Sequence, residues 1–166
     1  MNYIVKDTIS FLVKTFPKIY SSLYLEDLKK FAPDYNVNKT QLRALVFIKN
    51  YGVISMTDLC SKLNIEKGSL TSMVDDLTDK KYVTRKRDLV DRRKYLIDIT
   101  EEGDKIATDF MDKLSDGLGE KLSKLTEEDR KKYLEAINTL QYILNMYLIH
   151  YSAHTRRDPN GYSAVY

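Results

Sequence analysis

The 166-residue sequence holds one cysteine, Cys60, so no internal disulfide can form and a reducing, cytoplasmic setting is expected. No stretch approaches the roughly 18 consecutive apolar residues that a membrane-spanning helix needs, so no membrane association is expected. The N-terminus lacks the basic start, apolar core and small-residue cleavage site of a signal peptide. Sets of residues that carry chemistry are equally scarce. There is no Ser/His/Asp constellation, no glycine-rich phosphate loop and no carboxylate pair spaced for acid–base work, so neither an enzyme nor a cofactor is expected. The two histidines, His150 and His154, stand four apart with no third soft ligand near them in sequence. They read as a solvated helix end and not as a metal site.

What is present is an ordinary core and an uneven distribution of charge. Hydrophobic residues make up 43% and charged residues 31%, which fits a soluble globular chain of one domain or two small lobes. The net charge is only +3, yet Lys80 to Lys94 contains eight Lys or Arg against two Asp, a local charge of +6. The rest of the chain is therefore acidic by three charges, and the positive field sits on one element.

That element follows an amphipathic helix. Leu70, Met73, Val74 and Leu77 share one face, and Lys67, Ser69, Thr71 and Ser72 make a small polar face near its start. After Lys81 the period changes to two. Val83 and Arg85 begin one strand, Tyr95, Ile97 and Ile99 a second, and an arginine-rich turn joins them. A basic hairpin alone is often just a solvated turn, and any surface helix has a polar face. Their order carries more weight. Upstream, Thr40 is a plausible N-cap for a helix carried by Leu42, Leu45, Val46 and Ile48 to Asn50, stopped by Gly52. Val53–Ile54 is a β-prone stub, Ser55 to Asp58 opens another helix with Leu59, Cys60 and Leu63 inward, and Asn64 to Glu66 is a turn. Helix, strand, helix, turn, helix and two strands is the order of a winged helix-turn-helix.

Long helices flank this module. Val5, Ile9, Leu12, Phe16, Ile19 and Leu23 are spaced 4, 3, 4, 3, 4, as are Tyr133, Ile137, Leu140, Leu144, Tyr147 and Tyr151. That 3.5-residue period marks helices packed along helices. Pro17 is expected to kink or split the first. Thr100 opens a helix with a stripe of Ile106, Phe110, Leu114 and Leu118, weakened by Gly117 and Gly119, and Thr126 opens the last. Packing of the first helix on the last within one chain is one use for the seams. A dimer is favoured, because two half-sites in DNA need two symmetric readers.

The residues also resemble a known family, the multiple-antibiotic-resistance regulator (MarR) family of bacterial transcription factors, over residues 5–148. The specific part is Arg85-Lys-Arg-Asp-Leu-Val-Asp91-Arg92-Arg93, then Ile97-Asp-Ile-Thr100-Glu-Glu-Gly103. It is similar to the family's wing: Arg, five residues, Asp-x-Arg, a strand, then Thr-x-x-Gly. Gly68 to Leu77 is similar to its recognition helix, and Thr40 with Leu45 to the start of its second helix. The resemblance implies a mainly α fold with a small β wing. A winged helix-turn-helix lobe (39–99) would be joined to a dimerisation lobe built from residues 1–38 and 100–151. The tail, 152–166, has Pro159, Asn160 and Gly161 and little pattern, and is expected to be loosely ordered or to pack late.

The function implied is that of a homodimeric duplex-DNA-binding regulator, a repressor of a pseudo-palindromic operator that a small ligand relieves. Lys67, Ser69, Thr71 and Ser72 would face the major groove. Arg93 would enter the minor groove, oriented by Asp91, with Arg85, Lys86, Arg87, Arg92 and Lys94 near phosphates. Ser72 and Asp76 depart from the family, which often has basic residues there, and this moves affinity toward the wing. The family's peroxide-sensing branch has a cysteine near the N-terminus; this chain has none there, so Cys60 reads as a structural thiol. Tyr20, Tyr24, Phe47 and Tyr51 are candidate walls for a small aromatic or anionic effector, with plain core packing the competing reading. Two other functions remain open. A basic wing also suits an acidic protein partner, and a single-strand binder is less favoured because only Tyr82 and Tyr95 lie among the basic residues.

Overall fold

A computed structural model describes residues 2–155, with side chains as far as Met146. The side chains of Tyr147, Tyr151, His150 and His154, on which the expected extension of the last seam and the histidine reading rest, and the tail beyond residue 155 lie outside what is described. Among the described residues no helix is long and apolar enough to cross a membrane.

The N-terminal seam stays helical throughout. α1 (Asn2–Ser10), a π-helical turn (Phe11–Thr15), α2 (Phe16–Tyr20), a second π-helical turn (Ser21–Leu25) and α3 (Glu26–Phe31) follow without a break. Pro17 does not split the helix. It has no N–H to donate and its ring crowds the carbonyl four residues back, so the turn ahead of it widens, with the Phe16 N–H donating to the Phe11 carbonyl.

A 3₁₀ turn (Ala32–Tyr35) leads to α4 (Lys39–Tyr51). Its cap is Asn38 and not Thr40. The Asn38 carboxamide accepts from the Thr40 and Gln41 N–H groups at 2.9 and 3.0 Å, and Gln41 Oε1 accepts from the Asn38 N–H at 2.8 Å. This reciprocal box satisfies the donors that a Thr40 cap would leave open. Gly52, at φ +73°, ends the helix. β1 is Ile54–Ser55, one residue later than the β-prone stub, because Ile54 is the residue that pairs with Ile97 while Val53 is exposed. α5 (Met56–Leu63), capped by Ser55, turns through a left-handed Asn64 into α6 (Lys67–Asp79). β2 (Val83–Arg87) and β3 (Tyr95–Ile99) pair in register from Val83↔Ile99 to Arg87↔Tyr95, giving an antiparallel sheet of order β1-β3-β2.

The core gathers Leu42, Leu45 and Ile48 of α4, Leu59 and Leu63 of α5, and Leu70, Val74 and Leu77 of α6. Each such burial contributes roughly 1.5–3 kcal/mol. α7 (Glu101–Ser123) adds Ala107, Phe110 and Leu114 to it, and α8 (Glu127–Thr155) follows. Residues to Leu118 form one compact unit and those from Gly119 another. The front of α7 packs into the same core as α4, α5 and α6.

The entry to α7 explains the Thr-x-x-Gly spacing physically. Thr100 Oγ1 donates to the Lys81 carbonyl at 2.7 Å and accepts from the Gly103 N–H at 3.1 Å, while the Thr100 N–H donates to the Tyr82 carbonyl at 3.1 Å. A Cβ on Gly103 would lie 2.1 Å from that same Tyr82 oxygen. Glycine is the side chain that lets α7 start this close to the strand. In the second unit Thr126 Oγ1 accepts from the Asp129 N–H at 3.1 Å, the capping contact expected there.

Candidate nucleic-acid interface

α6 is held by its apolar face. Leu70, Met73, Val74 and Leu77 are all buried, which turns Lys67, Ser69, Thr71 and Ser72 outward. The Thr71 hydroxyl donates to the Lys67 carbonyl at 3.0 Å, so toward a partner it offers lone pairs and a methyl group. Two of the three acidic residues farther along, Asp75 and Asp76, are engaged within the protein. Asp75 pairs with Arg85 at 3.0 Å. Asp76 accepts from Lys80 at 2.8 Å and from the buried Gln41, and these donors, Lys80 first, hold its carboxyl below the usual range. The acidic position that departs from the family pattern is thus a tie between α4 and α6.

The wing presents its cations unequally. Lys86, Arg87, Arg92, Arg93 and Lys94 are exposed. Arg85 is half-buried, with its guanidinium 4.1 Å from the centre of the Tyr95 ring and its Nε shielded without a partner. Its pairing with Asp75 docks the wing on α6, so its charge acts from behind the surface. Arg87 Nε donates to the Tyr95 hydroxyl at 3.3 Å. At the far end, Asp91 Oδ1 accepts from both the N–H and the Nε of Arg93 at 3.2 Å, and Lys94 Nζ lies 3.8 Å from Oδ2. The Arg93 side chain is nonetheless 92% exposed.

These elements converge. Lys67 and Thr71 of α6 and Arg85, Arg93 and Lys94 of the wing line one groove of about 240 Å³. Ser55 and Thr57, at the start of α5, and Tyr95 line it too. Sequence reasoning did not assign them to the site, although a hydroxyl-bearing helix start is a natural phosphate contact. Ser69 opens elsewhere, on a groove shared with Thr40 and Asn64.

The candidate effector residues fall into two pairs. Tyr20 and Tyr24 have ring centres 5.5 Å apart, and Tyr24 meets Phe110 edge-on. Burial, then the neighbouring Tyr20, raises the Tyr24 phenol above its ordinary pKa. Phe47 and Tyr51 stack at 5.6 Å, with the Arg43 guanidinium 6.0 Å from the Phe47 ring. Tyr51 lines a cavity with Lys62 and Leu96 in which the other three take no part. Cys60 is half-buried, and its thiol donates to the Ile65 carbonyl at 2.9 Å in the turn before α6.

Residues 37–95 match the model of the MarR family. The chain is 30% identical over 105 residues to the organic hydroperoxide resistance transcriptional regulator of Bacillus subtilis, covering 63% of this chain and 70% of that one. Its structure is similar to that of a MarR transcriptional regulator from Methanosarcina mazei Go1, at 29% identity, a TM-score of 0.63 and coverage of 80% and 96%. It is also similar in fold to NadR in complex with 4-hydroxyphenylacetate, at 18% identity, a TM-score of 0.64 and coverage of 78% and 91%.

Proposed function

Since the chain belongs to the MarR family, whose members are DNA-binding transcriptional regulators and not enzymes, we propose that it works as a homodimer that represses transcription from a pseudo-palindromic operator. The observation that carries this reading is the groove that Lys67 and Thr71 of α6 share with Arg85, Arg93 and Lys94 of the basic wing. In this reading α6 enters the major groove and the wing reaches the adjacent minor groove, where Arg93 suits the narrow, electronegative floor. Lys86, Arg87, Arg92 and Lys94 stand near phosphates, and Arg85 holds the wing to the helix. The test is selection of bound duplexes from a random pool at two salt concentrations. A two-fold symmetric consensus supports the proposal. The absence of any consensus would favour an acidic protein partner for the wing.

Ser69, Thr71 and Ser72 are assigned base preference. Ser72→Ala is expected to change which sequences are selected more than it changes affinity for random DNA, because base contacts specify and phosphate contacts position. Unaltered preference in both the Ser72 and Thr71 variants would remove α6 as the reader.

The homodimer is supported by apolar faces that each unit leaves exposed. Val5, Ile9, Leu12 and Phe16 are 45–55% exposed, and Tyr133, Leu140 and Leu144 are 37–49% exposed. Such seams on water-facing helices need a partner. Sedimentation at micromolar concentration should show a species of twice the 19.4 kDa chain mass. A monomer there would end the two-half-site proposal.

Relief by a small ligand is proposed at the aromatic surfaces of Tyr20, Tyr24, Phe47 and Tyr51. The Arg43 guanidinium beside Phe47 suits an aromatic acid, the class of the ligand held by the solved NadR complex.

A further inference from the structure

The wing tip carries a surface that charge does not explain. Leu89 and Val90 are each 95% exposed, more than any other large hydrophobic side chain among the described residues. They do not sit on a frayed loop. The Asp88 N–H donates to the Lys94 carbonyl at 3.0 Å and closes the neck of the hairpin. The Asp88 carboxylate accepts from the N–H groups of Val90 at 2.8 Å and Asp91 at 3.3 Å, and the Lys94 N–H donates to the Asp91 carbonyl at 2.8 Å. The brace is an Asx turn, which needs the Asp88 side chain and no particular residue at 89 or 90. Polar side chains would satisfy this loop equally well. The fold therefore gives no reason for two adjacent branched aliphatics in full contact with water.

We propose that Leu89 and Val90 are the apolar half of the wing's DNA contact, seated against the deoxyribose walls of the minor groove beside Arg93. The inference rests on the duplex-binding reading above. Three observations favour this occupant. The pair is continuous with the proposed interface, in the same braced loop as Arg92 and Arg93. Both nearby carboxylates are already engaged, Asp88 by backbone donors and Asp91 by Arg93 and Lys94, so the tip meets an anionic partner as a cationic surface with an apolar point. Finally, a strand pair about 4.8 Å between backbones is too thick to enter a groove about 6 Å wide except at its tip, which is where these side chains lie. The sugars that form the groove walls offer apolar C–H surface, and minor-groove proteins frequently carry aliphatic side chains into this groove.

The experiment uses the full-length protein and a duplex that the wild type has selected from a random pool. The double variant Leu89→Asn/Val90→Asn should bind this duplex about tenfold more weakly. The slope of log affinity against log salt should stay unchanged, because no cation is removed. Hydroxyl-radical footprinting should lose sugar protection at the wing's minor groove and keep it beside α6. Leu89→Met/Val90→Ile should restore wild-type behaviour, and circular dichroism melting should be the same for all three proteins. Unchanged affinity and footprint in the Asn variant would overturn the inference while leaving the duplex-binding reading intact. Failure of the wild type to select any duplex would remove both. A flattened salt slope would assign the effect to displaced cations and overturn it too. Flotation with phosphatidylserine vesicles separates the remaining partner: vesicle binding by the wild type that the Asn variant loses, with duplex affinity unchanged, would give the tip to a lipid surface.

Discussion

Arg93→Ala is expected to weaken binding to the selected duplex about a hundredfold at fixed salt. A groove contact made by an arginine contributes roughly 1–3 kcal/mol, and about 1.4 kcal/mol is a factor of ten, counted once for each wing of the proposed dimer. In the proposed dimer–duplex complex Lys94→Ala would remove one phosphate-facing charge per subunit, and it should instead flatten the salt dependence by about 1.8 in log–log slope. Asp91→Asn separates orientation from charge. Losing an anion beside the duplex should tighten binding on electrostatics alone. But Asp91 accepts from the N–H and the Nε of Arg93, directing a 92% exposed guanidinium outward by its terminal nitrogens. If that anchoring governs the contact, Asp91→Asn weakens binding despite the added positive charge. Tighter binding by Asp91→Asn would mean that the wing acts as a flexible basic loop.

Gly103→Ala should be the most damaging conservative substitution in the core of the winged-helix unit. Its Cβ would stand 2.1 Å from the Tyr82 carbonyl oxygen and 3.0 Å from Ile99 Cγ1, and the first of these is backbone that cannot rotate away. Relief requires moving the first turn of α7 off the strand. That lengthens the Thr100 N–H bond to the same oxygen and the Thr100 hydroxyl bond to Lys81. Overpacking of this kind costs typically 1–3 kcal/mol, and the broken bonds place the expected loss at about 3 kcal/mol. For a chain of this length the melting temperature should fall by about 10 °C. Gly117→Ala is the matched control. Its Cβ meets nothing within 4 Å, so the better helix propensity of alanine should leave stability unchanged or raise it by up to about 1 kcal/mol. Urea denaturation of both variants at one protein concentration measures the difference. Equal stability of the two would show that α7 has slack at this contact.

The elements of the winged helix, their order and the inward face of α6 were legible in the sequence. Each is written in a short-range period, and burial of that period on one side is what makes the element. The basic wing was legible for the same reason, since eight cations within Lys80–Lys94 require no partner to be recognised. Partner choice was not legible. That Asn38 and not Thr40 caps α4 depends on Gln41 reaching back. That Arg85 docks the wing while Arg93 projects from it depends on Asp75 lying across from one and Asp91 beside the other. Asp76, a departure from the family when read along the chain, is a contact between α4 and α6 once Gln41 lies opposite. The entry of Ser55 and Thr57 into the groove, and the division of the four aromatic candidates into two pairs, follow from which helices face each other. The sequence by itself determined the elements and the location of charge, because both are properties of neighbours along the chain. Only the tertiary structure decided which charges are engaged and which are offered, because that depends on residues far apart in sequence being brought within hydrogen-bond reach.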